Sequence, residues 1–340
     1  MNIFGLDIGS NSIKIAQVSR EGNKFRLVAA GITPTPQPGL KSELEEDLVS
    51  VATAIKKLWQ DVRISSKDVV IALPEDKIFT RVVELPPMSE NELAQAIPWE
   101  AEQFVPMPLS EVNLDWQIIF QGSKPGKVQE KTKVFIVAAP ISLIDKYLKV
   151  LEMGGFKVAA IETEMIAAVR ALVPKELPLV LLVNLGAKSC DLAVVQNGYL
   201  ALTRSIPSAG EALTRAIATA LSLDPLQAEE YKIAYGLAED QFEGKIKNAL
   251  SPVLEEMVSE IRKMILSWRE KENENISNII LAGGTASLPA IGKFLTEKLE
   301  TEIQIADPFS RMILDQNQIA GLKDKSALFA VALGLAQKEV

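Results

Sequence analysis

The sequence predicts a two-lobed α/β protein with a small two-layer subdomain inserted into its first lobe. Three observations predict it. A strand–turn–strand unit spanning Ile3 to Val18 returns as a second copy around Val183 to Ala193. A third glycine turn, Gly283-Gly284-Thr285, follows another apolar strand. Between the two copies lies a block ordered helix, strand, strand, helix, strand. At 340 residues the chain suits two compact lobes, and 48% hydrophobic residues are ample for their cores.

In chain order, the apolar strands Ile3 to Ile8 and Ile13 to Val18 flank Gly9-Ser10-Asn11-Ser12, and Gly22-Asn23 marks the next turn. Pro34, Pro36, Pro38 and Gly39 make a stiff connector. Glu43 to Trp59 reads as a helix, with Leu44, Leu48, Val51, Ile55 and Leu58 on one face. Val69 to Leu73 and Phe79 to Leu85 are strands around Pro74-Glu75-Asp76, and Pro86-Pro87 marks a boundary. Ser89 and Glu92 form a capping-box signature. The aromatic, acidic stretch Ile97 to Leu109 follows, punctuated by Pro98, Pro106 and Pro108. Strands are expected at Val112 to Phe120 and Lys133 to Ala139, joined by a Lys-rich hairpin loop from Gly122 to Lys133. A helix from Ser142 to Met153 and a strand from Lys157 to Ile161 end the block.

An alanine-rich helix to Leu172 leads to the second strand–turn unit, whose next turn is Asn197-Gly198. Helices follow Gly210-Glu211 and Pro225, and Leu254 to Glu270 is long and amphipathic. The strand Ile276 to Leu281, a helix from Pro289 and a small-residue helix from Ala327 to Gln337 close the chain. The expected boundaries are 1–86 for the first lobe, 87–160 for the inserted subdomain and 161–178 for a connecting helix. Residues 179–224 are the second lobe and 225–275 its helical subdomain. Residues 276–317 carry the third turn, and 318–340 return to the first lobe.

Composition narrows the function. The formal net charge is −8 and no dense basic run occurs, which argues against nucleic acid. One cysteine excludes an internal disulfide and fits a reducing compartment. With no histidine, His-based acid–base catalysis and most zinc sites drop out. No apolar run approaches the roughly 20 residues that a membrane span needs. A signal-peptide layout is not expected either, since Asp7 interrupts the apolar start.

The chemistry concentrates at the glycine turns. Gly9 lets main-chain N–H groups approach phosphate oxygens, Ser10, Asn11 and Ser12 add donors, and Asp7 is placed to hold a metal-bound water. In the second copy Gly186 falls on Gly9, Ser189 on Ser12 and Ala193 on Ala16, with Asn184, Ala187 and Lys188 in the turn. Two such hairpins facing each other can clamp one nucleotide. Ordinary hairpins with Gly-Ser turns are the competing reading. Gly283 and Gly284 let the backbone lie flat against a planar base or ribose, or else form a plain strand-to-helix loop. Glu229 and Lys232 share one helix face, as a ribose contact or as a solvated charge pair. Trp99, Phe104, Val105 and Met107 lie close together, as a groove wall or as a helix end packed on its own core.

Taken in this order, the three turns resemble those of the actin-like ATPase superfamily. The resemblance implies that the first two turns hold phosphates and the third lies against adenosine. It makes Gly210, Glu211, Glu229, Lys232 and Thr285 adenosine-side contacts, and gives Glu164 the place of an acidic residue that positions water and metal beside Asp7. The inserted block sits where the FtsA and PilM families carry theirs. Trp99-Glu100-Ala101-Glu102-Gln103-Phe104-Val105-Pro106, continuing through Pro108-Leu109, resembles the type IV pilus assembly PilM family, as does Gly5-Leu6-Asp7-Ile8-Gly9. The linker and amphipathic tail of FtsA are not expected, because the chain ends soon after its last helix.

That resemblance implies a cytoplasmic scaffold, peripheral at the inner membrane, that binds ATP and Mg²⁺. It would dock the N-terminal tail of PilN on Trp99, Phe104, Val105 and Met107, and link it to PilB/PilT-type motor ATPases in twitching motility. Membrane contact would come only through partners, and self-association stays open. Asn184 departs from the Asp of many relatives, so slow ATP hydrolysis at most is expected. An FtsA-like division protein and a small-molecule kinase of the superfamily are the competing readings.

Overall fold

The computed structural model of the chain describes residues 3–122, 131–239, 242–315 and 321–340. The first lobe is built on a six-stranded sheet. Its order is β14 (Met312–Ile313), β3 (Lys24–Pro34), β2 (Ser12–Glu21), β1 (Phe4–Ile8), β4 (Asp68–Leu73) and β8 (Lys157–Thr163). The second lobe has the order β11 (Tyr199–Ile206), β10 (Cys190–Gln196), β9 (Leu179–Leu185), β12 (Ile279–Ala282) and β13 (Ile303–Ile305). Set β14 aside and the two sheets have one topology, two antiparallel hairpins continued by parallel strands.

The duplication reaches the register. Ile8 pairs with Ile13 across the first turn, and Leu185 with Cys190 across the second. Each copy then bulges at the same distance past its turn glycine, between Gln17 and Val18 and between Val194 and Val195.

Alternation along β1 decides which way the site faces. Phe4, Leu6 and Ile8 point into a core shared with the apolar stripes of α1 (Glu45–Asp61) and α3 (Ile141–Gly154). Gly5 and Asp7 therefore point to the opposite face. There α9 (Ala330–Ala336) lies so close that a Cβ on Gly5 would stand 2.1 Å from the Ala332 carbonyl oxygen. α9 also crosses α4 (Glu164–Leu172), where a Cβ on Gly334 would meet the Ala167 carbonyl oxygen at 1.8 Å. One continuous core runs from Ala16, Val70 and Ala72 through these two helices into the second lobe.

The inserted subdomain is a three-stranded sheet, β5 (Phe79–Leu85), β7 (Thr132–Pro140) and β6 (Val112–Phe120), covered by α2 (Glu90–Glu102). The Ser89 capping box forms as expected, and α2 continues through Pro98 to Glu102. The boundary expected at 87–160 shifts. β5 joins the subdomain because it pairs with β7. α3 and β8 leave it, because Tyr147, Val150 and Leu151 pack on the first-lobe core and β8 runs parallel to β4. The return to the first lobe also comes before 318, since Met312 and Ile313 pair with β3. Within the hairpin loop expected from Gly122 to Lys133, residues 123–130 lie outside the described residues.

Candidate functional site

The first turn is closed by one backbone bond, Gly9 N–H to the Ser12 carbonyl at 3.1 Å. Thr35 Oγ1 donates to the Gly9 carbonyl at 2.7 Å, and Gln37 Nε2 to the Ser10 carbonyl at 3.1 Å. These bonds fix the loop while Ser10, Asn11 and Ser12 stay partly open to solvent. Asp7 does not stand alone. Lys14, its register partner on β2, donates to its carboxylate at 3.1 Å, and both side chains are buried.

The second turn repeats the closure, with Gly186 N–H to the Ser189 carbonyl at 3.0 Å. Asn184 holds the place of Asp7, and its register partner Asp191 holds the place of Lys14. The hairpin therefore keeps a carboxylate, supplied from the outgoing strand. Asp191 is buried and accepts from Ser189 Oγ at 2.9 Å and Ser205 Oγ at 2.5 Å. Burial raises its pKa to about 6 against the pull of those two hydroxyls. Burial and neighbouring Lys41 lower the Lys188 pKa, while Glu211 and Asp76 act the other way.

Three turns meet in the second lobe. Gly210 N–H donates to the Gly186 carbonyl at 3.2 Å, Glu211 N–H to the Ala187 carbonyl at 2.7 Å, and Thr285 Oγ1 to the Gly186 carbonyl at 3.1 Å. Gly283 has φ +88°, and a Cβ there would stand 2.4 Å from the Leu185 carbonyl oxygen. Its glycine is thus required by the neighbouring turn, before any ligand is considered. Gly284 opens the short helical turn that carries Thr285.

Lys232, on α6 (Pro225–Tyr235), is buried. Its Nζ donates to the Gly210 carbonyl at 3.0 Å, Thr214 Oγ1 at 2.9 Å and Glu229 at 2.6 Å. The Glu229–Lys232 pair is thus a tie holding α6 to the start of α5 (Gly210–Leu221), and only Glu229 keeps a solvent-facing side.

Between the lobes the carboxylates crowd. Glu164 opens α4 behind the N-cap Thr163. Burial, then Asp7, Asp191 and Glu75, hold its carboxyl well above the usual range, with Lys14 opposing. Glu75 is pushed up to about 8, first by burial and next by Asp191, against the weaker pull of hydrogen bonds from the Met165 backbone and the Thr163 and Thr80 hydroxyls. Sequence reasoning missed Lys14, Asp191 and Glu75. The first two were readable as equivalent positions of the repeat, each across its hairpin from Asp7 or Asn184.

Among the described residues no three acidic or thiol groups form a ready-made metal cage. Mg²⁺ does not need one, since it binds through one or two carboxylates plus phosphate oxygens and water. Turn N–H groups, the Lys14 ammonium and crowded carboxylates that a cation would relieve together fit a metal–polyphosphate. Beside them is a cavity of about 250 Å³ lined by Asp76, Lys188, Ser208, Glu211 and Arg215.

The four candidate partner residues do not share one surface. Trp99 is 72% exposed, and Val105 is buried in the subdomain core with Ala101, Val112 and Ala138. Met107 packs partly against that core. Phe104 is half-buried, lies under the Arg81 guanidinium at 5.7 Å, and walls a cavity of about 280 Å³ with Glu75, Ile78, Thr80, Thr203 and Arg204.

Comparison with known proteins places this arrangement. The chain superposes on the PilM-PilN type IV pilus biogenesis complex with a TM-score of 0.84 at 29% identity, covering 99% of this chain and 98% of that one. Ethanolamine utilization protein EutJ from Carboxydothermus hydrogenoformans shares the fold, with a TM-score of 0.58 at 16% identity over 98% and 88%. So does MreB5 of Spiroplasma citri bound to ADP, at 0.52 and 16% over 98% and 94%. The cell division protein FtsA of Pseudomonas aeruginosa is 25% identical over 98% of this chain and 88% of its own. Residues 5–340 match the family described as type IV pilus assembly protein PilM. On an actin-like ATPase fold, with its inserted subdomain in place, the chain belongs to the PilM family.

Proposed function

We propose that the protein is an ATP-binding scaffold of the type IV pilus machinery. It docks the N-terminal tail of inner-membrane PilN and links that protein to cytoplasmic motor ATPases. The observation that carries this reading is the likeness to the PilM-PilN complex, which extends over 99% of the chain and so includes the inserted subdomain. Membrane attachment through PilN is consistent with the described residues, where no helix is long and apolar enough to cross a bilayer.

In this reading the N–H groups of both turns and Lys14 bind the phosphates. Asp7 would hold Mg²⁺ through a bound water, and Glu164 and Asp191 would orient water between the lobes. When bound, Mg²⁺ supplies charge neutralisation for the phosphate oxygens. Gly210, Glu229 and Thr285 shape the adenosine side. Trp99 and Phe104 are the side chains available to a partner, while Val105 and Met107 support them from the core.

Calorimetry with two titrants tests the proposal. ATP·Mg²⁺ is expected to bind the wild type, and at least about tenfold more weakly to Asp7→Ala, which leaves Lys14 buried without its partner. A synthetic PilN tail is expected to bind at micromolar concentration and to lose binding when its leucines become Asp. No tail binding, or binding indifferent to the leucines, removes the scaffold role. Equal ATP affinity in wild type and Asp7→Ala removes the nucleotide assignment.

A further inference from the structure

Two cavities share one wall. The single helical turn Glu75–Lys77 joins β4 to β5. Its Asp76 lines the cavity that holds Lys188 and Glu211, both nucleotide-side candidates. Glu75 and Ile78, at either end of the turn, line the other cavity, which Phe104 walls.

The same place is where the inserted subdomain meets the second lobe. β5 is the edge strand of the subdomain sheet and β11 the edge strand of the second-lobe sheet. They touch through hydroxyls: Thr80 Oγ1 and Thr203 Oγ1 are 2.8 Å apart, and Thr80 Oγ1 lies 3.5 Å from Glu75 Oε1. Two residues along β11, Ser205 donates to Asp191 of the second turn. Farther along the seam Lys271 pairs with Glu84 at 2.9 Å, and Lys133 with Glu272 at 3.4 Å.

From this geometry we infer that the β5–β11 seam is a latch. Nucleotide in the cleft and the shape of the Phe104 cavity are two readouts of one closure, transmitted through residues 75–77 and the Thr80–Thr203 bond. The physical basis is a stiff turn that cannot move at one cavity without moving at the other. Linkage is reciprocal: whatever favours the closed seam tightens nucleotide, and nucleotide favours the closed seam. The inference rests on the nucleotide reading above.

Cysteines at the two positions test it. In the full chain carrying Thr80→Cys and Thr203→Cys, the sulfurs come within reach of a disulfide after a small adjustment. Native Cys190 is fully buried and does not compete. Disulfide formation is expected to run at least about fivefold faster with saturating ATP·Mg²⁺, and the oxidised protein to bind ATP at least about threefold more tightly than the reduced one. Thr80→Val removes the hydroxyl at nearly constant volume. It is expected to weaken ATP binding about threefold and serves if the double variant fails to fold. ATP that binds normally yet leaves the disulfide rate and the Thr80→Val affinity unchanged overturns the latch alone. ATP that does not bind the wild type overturns both the latch and the nucleotide assignment.

Discussion

Glu75 illustrates how far one side chain can be displaced from its solution chemistry. It is 5% exposed, and Asp191 and Glu164 are its carboxylate neighbours in the cleft. Its pKa stands at about 8 in the fold against 4.5 for an ordinary carboxyl. The folded chain therefore holds a proton that the unfolded chain has lost. Its stability must fall as pH rises between these two values and level off above about 8. Asp191, raised from 3.8 to about 6, adds a loss of the same sign at lower pH. At about 1.4 kcal/mol per pH unit, the Glu75 share is roughly 3–5 kcal/mol at most. Glu75→Gln keeps an acceptor for Thr80 and cannot ionise. Urea unfolding from pH 5 to 9 is expected to show a steeper decline in the wild type than in Glu75→Gln, which keeps the declines of the same sign that Glu164 and Asp191 contribute. Parallel curves would mean that Glu75 is solvated and ionised in the native protein.

At the scale of elements, periodicity gave most strands and helices, and the paired Gly-Ser turns gave the duplication. What stayed hidden depended on contacts between elements distant in sequence. α3 has the same amphipathic stripe whether it covers the subdomain or the first lobe, and only its packing with α1 decides. Asn184 looked like a lost charge because its partner Asp191 lies across a hairpin. Val105 sits in an aromatic, proline-bounded stretch, and nothing local says that it turns inward while Trp99 turns outward. The crossing of α4 and α9 is of the same kind. The small residues Ala167 and Gly334 read as an apolar run in sequence, and in the fold they bring two backbones into contact. Gly334→Ala would place a methyl 1.8 Å from the Ala167 carbonyl oxygen, and the Arg170 guanidinium already bonds the Gly334 carbonyl at 2.8 Å. Neither helix can retreat without disturbing β1 or that bond. The variant is expected to lose roughly 2 kcal/mol or more of stability, read as a lower urea midpoint at unchanged slope. A midpoint equal to the wild type would show that the helices have room to separate.

At the scale of the whole molecule, the chain is two copies of one sheet sharing a core, with a small domain attached at an edge. The shared core passes from the first sheet through α4 and α9 into the second lobe without interruption. The subdomain rests mainly on two small clusters of its own, one around Leu93, Ile97, Val134 and Ile136 and one around Ala101, Val105, Val112 and Ala138, while Phe135 and Ala139 of β7 reach the larger cores. Its ties to the shared core are Phe135, with Val82 and Ile119 packed beside it, one hydroxyl pair, and ion pairs such as Glu84–Lys271, whose partly exposed charges contribute little. Opening free energies follow buried apolar contact. The lobes should therefore open together, at the full unfolding free energy, while residues 79–140 open separately and more easily. Native-state hydrogen exchange is expected to give β1, β4, β9 and β12 one common high protection, and β5, β6 and α2 a lower one. Lobes that exchange as two independent units, or a subdomain as protected as β9, would overturn this division of stability.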